Sequence, residues 1–168
     1  NERIIRLSFN RLIGKSSSLE YGVESAYNKL DRTFNLIYLD SDGKQTSAGL
    51  INTSGEVEED RYEGFLSYNL PLSNKIRAEL ALNYEWSEIS QSGDVNLSRE
   101  FQYWKPRIDL KWDYKENRQL RLNIERNVGQ INFDDFISSF DQFEETIRAG
   151  NPDLKPETSW ELKLEHEW

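Results

Sequence analysis

The 168-residue chain has no cysteine and no methionine, one histidine (His166) and four prolines. Without cysteine there is no disulfide scaffold, no cysteine zinc site and no thiol nucleophile. A single histidine leaves neither a histidine metal cluster nor a Ser-His-Asp triad to build. No run approaches the ~20 apolar residues that a membrane-crossing helix needs. The charge balance is acidic, with 21 Lys and Arg against 30 Asp and Glu and a formal charge of −9, whereas nucleic-acid binders cluster Lys and Arg. Nothing at Asn1 resembles a signal peptide, so the chain reads as a mature or excised segment. Mean hydropathy is low, at −0.80, as in disordered chains, but the 12% aromatic content is not.

What the chain does have is a period of two. From Ile76 to Trp86 the even positions are Ile, Ala, Leu, Leu, Tyr and Trp, and the odd ones Arg, Glu, Ala, Asn and Glu. One face is apolar and the other polar, the pattern of a half-buried strand. The same alternation returns in Ile108, Leu110, Trp112 and Tyr114 against Arg107, Asp109, Lys111 and Asp113. It returns again in Leu120, Leu122 and Ile124, and in Trp160, Leu162 and Leu164. Eight strands are expected, near 3–10, 18–29, 32–40, 57–70, 75–87, 98–115, 118–130 and 157–168. Tight turns are expected at 28–31, 71–74 and 115–117, with turn-forming residues at each. Long polar loops are expected at 41–56, 88–97 and 131–156.

Short turns at one end and long loops at the other describe an antiparallel outer-membrane β-barrel or a segment of one, an all-β fold. Eleven residues at ~3.3 Å each, tilted by ~45°, rise roughly 25 Å, the height of the apolar band of such barrels. Large aromatics end the apolar face: Tyr62, Trp86, Trp104 and Trp160 toward the long loops, and Tyr27, Tyr68, Tyr114 and Trp168 toward the short turns or the chain end. Two such rows fit the two membrane interfaces. The charges of the opposite face would be costly in a dry core and suit a wet lumen. With eight strands both termini would fall at the short-turn end. Either a small eight-stranded barrel or a piece of a larger one is consistent with that.

The most specific stretch is Gly150-Asn151-Pro152-Asp153-Leu154-Lys155-Pro156-Glu157-Thr158-Ser159-Trp160. Pro152 and Pro156 lack an N–H and fix φ near −65°, and each pushes the residue before it toward extended backbone. The stretch is a stiff lead-in that aims the next strand. It resembles the GNPxLKPE signature of TonB-dependent outer-membrane receptors. Residues 125–130 (Glu-Arg-Asn-Val-Gly-Gln) with Phe133-Asp134-Asp135-Phe136 resemble the run before that signature in a subset of these receptors. Tyr27-Asn28-Lys29-Leu30-Asp31 is similar to one of their short periplasmic turns, and Val57–Arg61 and Ser92–Asp94 also fit. The resemblance implies that residues 1–168 are one barrel segment. The lipid bilayer, further strands, a plug domain of the same receptor, TonB and a small nutrient (an iron chelate, cobalamin or a glycan) would be its partners. The residues themselves offer no nucleophile–base pair, metal cluster or cofactor motif, so no enzyme and no cofactor is expected, and the acidic balance argues against a nucleic-acid partner.

Within the signature, Asn151, Pro152, Leu154, Lys155, Pro156 and Glu157 are expected to be structural. Candidate ligand contacts are the loop residues Asp94, Asp134, Asp135, Phe136 and Phe140. Phe133, Phe136, Ile137 and Phe140 have i, i+3, i+4, i+7 spacing, which predicts a short amphipathic helix. Adjacent carboxylates at 58–59, 134–135 and 144–145 point in different directions and read as solvated charge rather than a catalytic pair. Calcium at Asp40, Asp42, Asp134 and Asp135 has no EF-hand spacing behind it, and no metal ligand is assigned. The competing reading is a soluble antiparallel sheet that binds glycan on Trp86, Trp104, Trp112 and Trp160; it needs a second layer over the apolar face.

Overall fold

Alternating residues pair most economically with a neighbour running back from a tight turn, and three such turns organise the chain. The computed structural model describes residues 1–33, 37–39, 41–47, 54–93, 96–136, 139–141, 146–148, 151 and 153–168. Gly14 sits at φ 67° and Asn117 at φ 58°, the left-handed region that tight turns use. In the third turn the Ser73 hydroxyl accepts the backbone N–H groups of Lys75 and Ile76, at 3.2 and 3.1 Å.

The strands are β1 (Glu2–Ile13), β2 (Ser17–Thr33), the short β3 (Ile37–Leu39) and β4 (Gln45–Ser47), β5 (Ser54–Pro71), β6 (Ile76–Gly93), β7 (Leu97–Lys115), β8 (Arg118–Val128), the short β9 (Ser139–Asp141) and β10 (Thr146–Arg148), and β11 (Thr158–Glu167). Seven of them form one sheet in the order β1-β2-β5-β6-β7-β8-β11, antiparallel at every step. The all-β antiparallel expectation holds. The sheet is open: β1 and β11 are its edges and do not pair with each other.

Three expectations are corrected. The turn at 28–31 is not there, because β2 runs straight through to Thr33. Of the strand expected at 32–40, residues 32–33 end β2 and Ile37–Leu39 form β3, which pairs with β4 outside the main sheet, while 34–36 and 40 lie outside the described residues. The main sheet has seven strands rather than eight. The polar residues that suggested a turn find partners across the ladder instead. Asn28 donates to Glu59 at 2.9 Å, and Lys29 pairs with Glu56 at 2.6 Å. Most of the loop expected at 88–97 is strand: β6 runs to Gly93, β7 begins at Leu97, and the two stay paired from Gln91↔Leu97 downward. With an odd number of alternating strands the termini lie at opposite ends: Asn1 at the long-loop end and Trp168 at the short-turn end.

One register row shows the packing within the sheet. Gly22 pairs with Phe65 and Ser8. The Phe65 ring lies over the glycine, and the Arg6 guanidinium sits 4.0 Å from that ring's centroid. A Cβ on Gly22 would stand 2.1 Å from the Leu7 carbonyl and 2.5 Å from Phe65 Cζ. On the opposite face a Cβ on Gly64 meets nothing within 4 Å. Gly22→Ala is therefore expected to cost about 1–3 kcal/mol by overpacking, and Gly64→Ala to change stability by less than about 0.5 kcal/mol. Urea midpoints of the two variants check this; equal effects would mean that the close approach at Gly22 is not real.

Candidate functional site

The two faces of the sheet exchange character part-way up the strands. In the lower half the even-numbered face of β6 carries Ile76, Ala78, Leu80, Leu82, Tyr84 and Trp86, flanked across the ladder by Leu66, Tyr68, Ile108 and Leu110. Leu80, Leu82, Leu66 and Ile108 remain 41–45% exposed, and no described segment covers them. Above Trp86 the same face turns acidic: Asp60, Glu88 and Glu100 share one row, and Glu58 and Glu56 follow. The other face changes the opposite way. Below, it is a lattice of charge; above, Val57, Ile89 and Phe101 form a buried cluster.

The aromatics mark the change. Tyr62 packs on Trp86 with ring centroids 5.7 Å apart, and Tyr84 on Trp104 at 4.5 Å. These rings lie inside the strands rather than at their ends, since β6 continues seven residues past Trp86, whereas Trp160 is the third residue of β11. A second group gathers at the short-turn end. Trp112 contacts Tyr114, the Tyr114 hydroxyl hydrogen-bonds His166 Nε2, and His166 contacts Trp168. Tyr68 lies three residues from the end of β5 on the apolar face. Tyr27 does not belong with that group. It pairs with Asp60 and Arg3 at the far end, and its hydroxyl donates to Glu58, which holds the phenol above its usual pKa. Beside it, Glu56 and then Glu58 hold the Lys29 ammonium above the usual lysine range.

The polar face of the lower half pairs many of its charges. Lys105 reaches both Glu63 and Glu85, the latter at 2.8 Å, and Asn83 also donates to Glu63 at 2.8 Å. Arg107 bonds Glu79 and lies 3.3 Å from Asp109, which accepts from Asn123 at 2.8 Å. Arg6 and Arg61 share Glu24, at 3.1 and 3.7 Å.

Described residues of the segment between β8 and β11 pack over the upper cluster. Ile131, Phe133 and Leu154 pack against Val57, Ile89 and Phe101 together with Tyr103. Hydrogen bonds hold the segment at both ends. Gly129 N–H donates to the Glu157 carbonyl and Asn151 N–H to the Asp135 carbonyl, each at 2.8 Å. The Asn151 side chain accepts from Asp153 N–H at 3.0 Å, and the Arg99 guanidinium donates to Asp153 and to the Leu154 carbonyl, both at 3.4 Å. The stiff lead-in thus ties a long loop to the inner wall through Leu154. Lys155 and Glu157 are exposed, Pro156 is half-buried, and Pro152 lies outside the described residues. Leu154→Ala is expected to cost about 1–2 kcal/mol, since the side chain is only partly buried. It should also expose the 129–157 segment to limited proteolysis; an unchanged cleavage pattern would mean that Leu154 does not hold the loop.

Of the candidate ligand contacts, Asp135 lies in the four-residue 3₁₀ turn Phe133–Phe136 and is exposed. Asp94 lies outside the described residues, as do the side chains of Asp134, Phe136 and Phe140. The amphipathic helix does not extend to Phe140, which belongs to β9. A cleft of about 550 Å³ opens between the tops of β1, β2 and β5 and the start of the folded segment. Asn28, Glu59, Gln130, Asn132 and Phe133 line it. From sequence Glu59 reads as solvated charge and the amides as no site, because only the folded-back segment brings them together. Among the described residues no group of three His, Cys, Asp or Glu is placed to hold a metal.

A family model described as TonB dependent receptor-like, beta-barrel, matches residues 3–164. No curated protein and no solved structure gives a match.

Proposed function

Because the chain belongs to the TonB dependent receptor-like β-barrel family, we propose that it forms part of the wall and extracellular loops of an outer-membrane receptor that takes up a scarce nutrient with TonB. Iron chelates, cobalamin and glycans are the candidate nutrients. The observation that carries this reading is the exchange of face polarity at the Tyr62–Trp86 and Tyr84–Trp104 row. Below it the even face of β6 meets lipid and the charged face lines the lumen. Above it the strands project beyond the bilayer, where acidic residues meet water and the apolar inner face anchors a loop over the mouth.

The edge strands support a larger ring. Six antiparallel steps leave β1 and β11 pointing the same way, so closing one on the other would require a parallel seam. Lipid cannot satisfy unpaired N–H and C=O groups at an edge. An odd number of further antiparallel strands between β11 and β1 restores antiparallel pairing at both edges and gives the even total of bacterial barrels. The open sheet, whose edges β1 and β11 do not pair, supports the larger ring over a small closed barrel. The soluble glycan-binding reading is disfavoured because nothing described covers the apolar face.

The test is uptake in cells with and without TonB, using a labelled ferric chelate, cyanocobalamin and an oligosaccharide as probes. The expected result is that the protein fractionates with the outer membrane and that one probe accumulates only when TonB is present. A soluble protein, or accumulation independent of TonB, would overturn the reading.

A further inference from the structure

We propose that the short-turn rim of the sheet is a binding surface for the phosphates of anionic phospholipid head groups. The inference rests on the proposed membrane orientation and goes beyond it by naming the lipid. The three turns of that rim carry Lys15, Lys75, Lys115 and Arg118 against a single carboxylate, Glu116. That concentration of positive charge stands out in a chain of net charge −9. All four cations are exposed, and none takes part in an ion pair among the described residues. On the strand ends beside them, Lys111 pairs with Asp113 at 3.4 Å and Arg121 with Glu167 at 3.9 Å.

The turn backbones are held in defined conformations, so the points from which the cations project are fixed. Gly14 and Asn117 hold their turns in left-handed conformations, and Ser73 caps the third. The third turn is also tied to the next hairpin, because Asp113 N–H donates to the Lys75 carbonyl at 2.8 Å. Successive turns in the sheet order lie two strands apart, which sets them roughly 10 Å from one another. Next to this rim, on the apolar face, sit Trp112, Tyr114, His166 and Trp168, in contact through neighbouring rings 5.2–5.8 Å apart. Amphipathic rings of this kind settle at head-group depth. A lipid whose acyl chains lie along Ile76, Leu110 and Leu122 therefore brings its phosphate to the height of the turn cations. Charge complementarity selects phosphatidylglycerol over a zwitterionic lipid of the same chains.

The full-length protein is purified in a neutral detergent, and its binding of phosphatidylglycerol and phosphatidylcholine is followed by native mass spectrometry. The wild type is expected to prefer phosphatidylglycerol by at least about tenfold, and the preference should collapse in about 1 M salt. The K15Q/K75Q/K115Q/R118Q variant should lose the preference while keeping the heat-modifiable gel mobility of a folded barrel. Should that variant fail to fold, Lys15→Gln alone, with an expected loss of a few-fold, takes its place. An unchanged preference in the variant, or equal binding of both lipids by the wild type, overturns the inference. So does competition by inorganic phosphate at equal concentration, which would mean that a free anion suffices, and so does selective binding of polyglutamate, which would point to an acidic protein. A protein that does not enter detergent micelles or bilayers at all would instead overturn the membrane reading on which the inference depends.

Discussion

Arginine at position 80 is expected to destabilise the protein in a bilayer by about 2–4 kcal/mol, the cost of a cation near the midplane on the lipid face of a barrel. Leu80 lies between Tyr68 and Ile108 across the ladder, two rows above Ile76 and three below Trp86 on its own face. Its side chain is 45% exposed, so the penalty comes from dehydrating a charge and not from losing protein packing. Leu110→Arg, between Ala78 and Leu122, should behave alike. The control is the next residue in the chain. Ala81 points to the other face, in a row with Ser67, Arg107 and Glu125, where a new cation finds carboxylates and water. Ala81→Arg is expected to shift stability by less than about 1 kcal/mol. Urea titration of the protein folded into vesicles measures all three. If Leu80→Arg and Ala81→Arg fall together, or if the Leu80 and Leu110 variants stay folded without detergent or lipid, the even face does not meet lipid.

Much of this architecture could be read from sequence because alternation is local. Leu80 and Ala81 declare their faces by their neighbours at two-residue spacing, and β5 through β8 followed from that. Legibility fails where the two faces exchange roles. In β6 the apolar phase is even through Trp86 and odd from Ile89. In β5 it is odd at Val57 and even from Tyr62, and in β7 the change falls between Tyr103 and Trp104. A reading that holds one phase sees 88–97 and 28–31 as polar loop or turn, when the strands in fact continue with their faces reversed. The signal was present as a phase slip at a common height in neighbouring strands, but the height is known only once the register is. The signature at 151–157 was legible as a stiff lead-in through its prolines. Its attachment to Val57, Ile89 and Phe101 was not, because those partners lie far away in sequence and on three different strands.

Removing Lys105 is expected to be the most damaging single change on the polar face. Its ammonium is shared by Glu63 and Glu85, whose side chains are only 13% and 10% exposed. Asn83 still donates to Glu63, but Glu85 is left with no described cation within bonding distance. Breaking a buried pair by deleting one partner costs about 3–5 kcal/mol. Lys105 is about one-fifth exposed, so water screens part of that loss, and about 2–4 kcal/mol is expected for Lys105→Met. The loss comes mainly from stranded carboxylates, and so it should be recoverable. In a Glu63→Gln/Glu85→Gln background the same Lys105→Met substitution should cost less than about 1 kcal/mol, a coupling within the range of residues sharing one network. A Lys105→Met cost that stays the same in both backgrounds would mean that its aliphatic stem, and not its charge, holds β5, β6 and β7 together at this level.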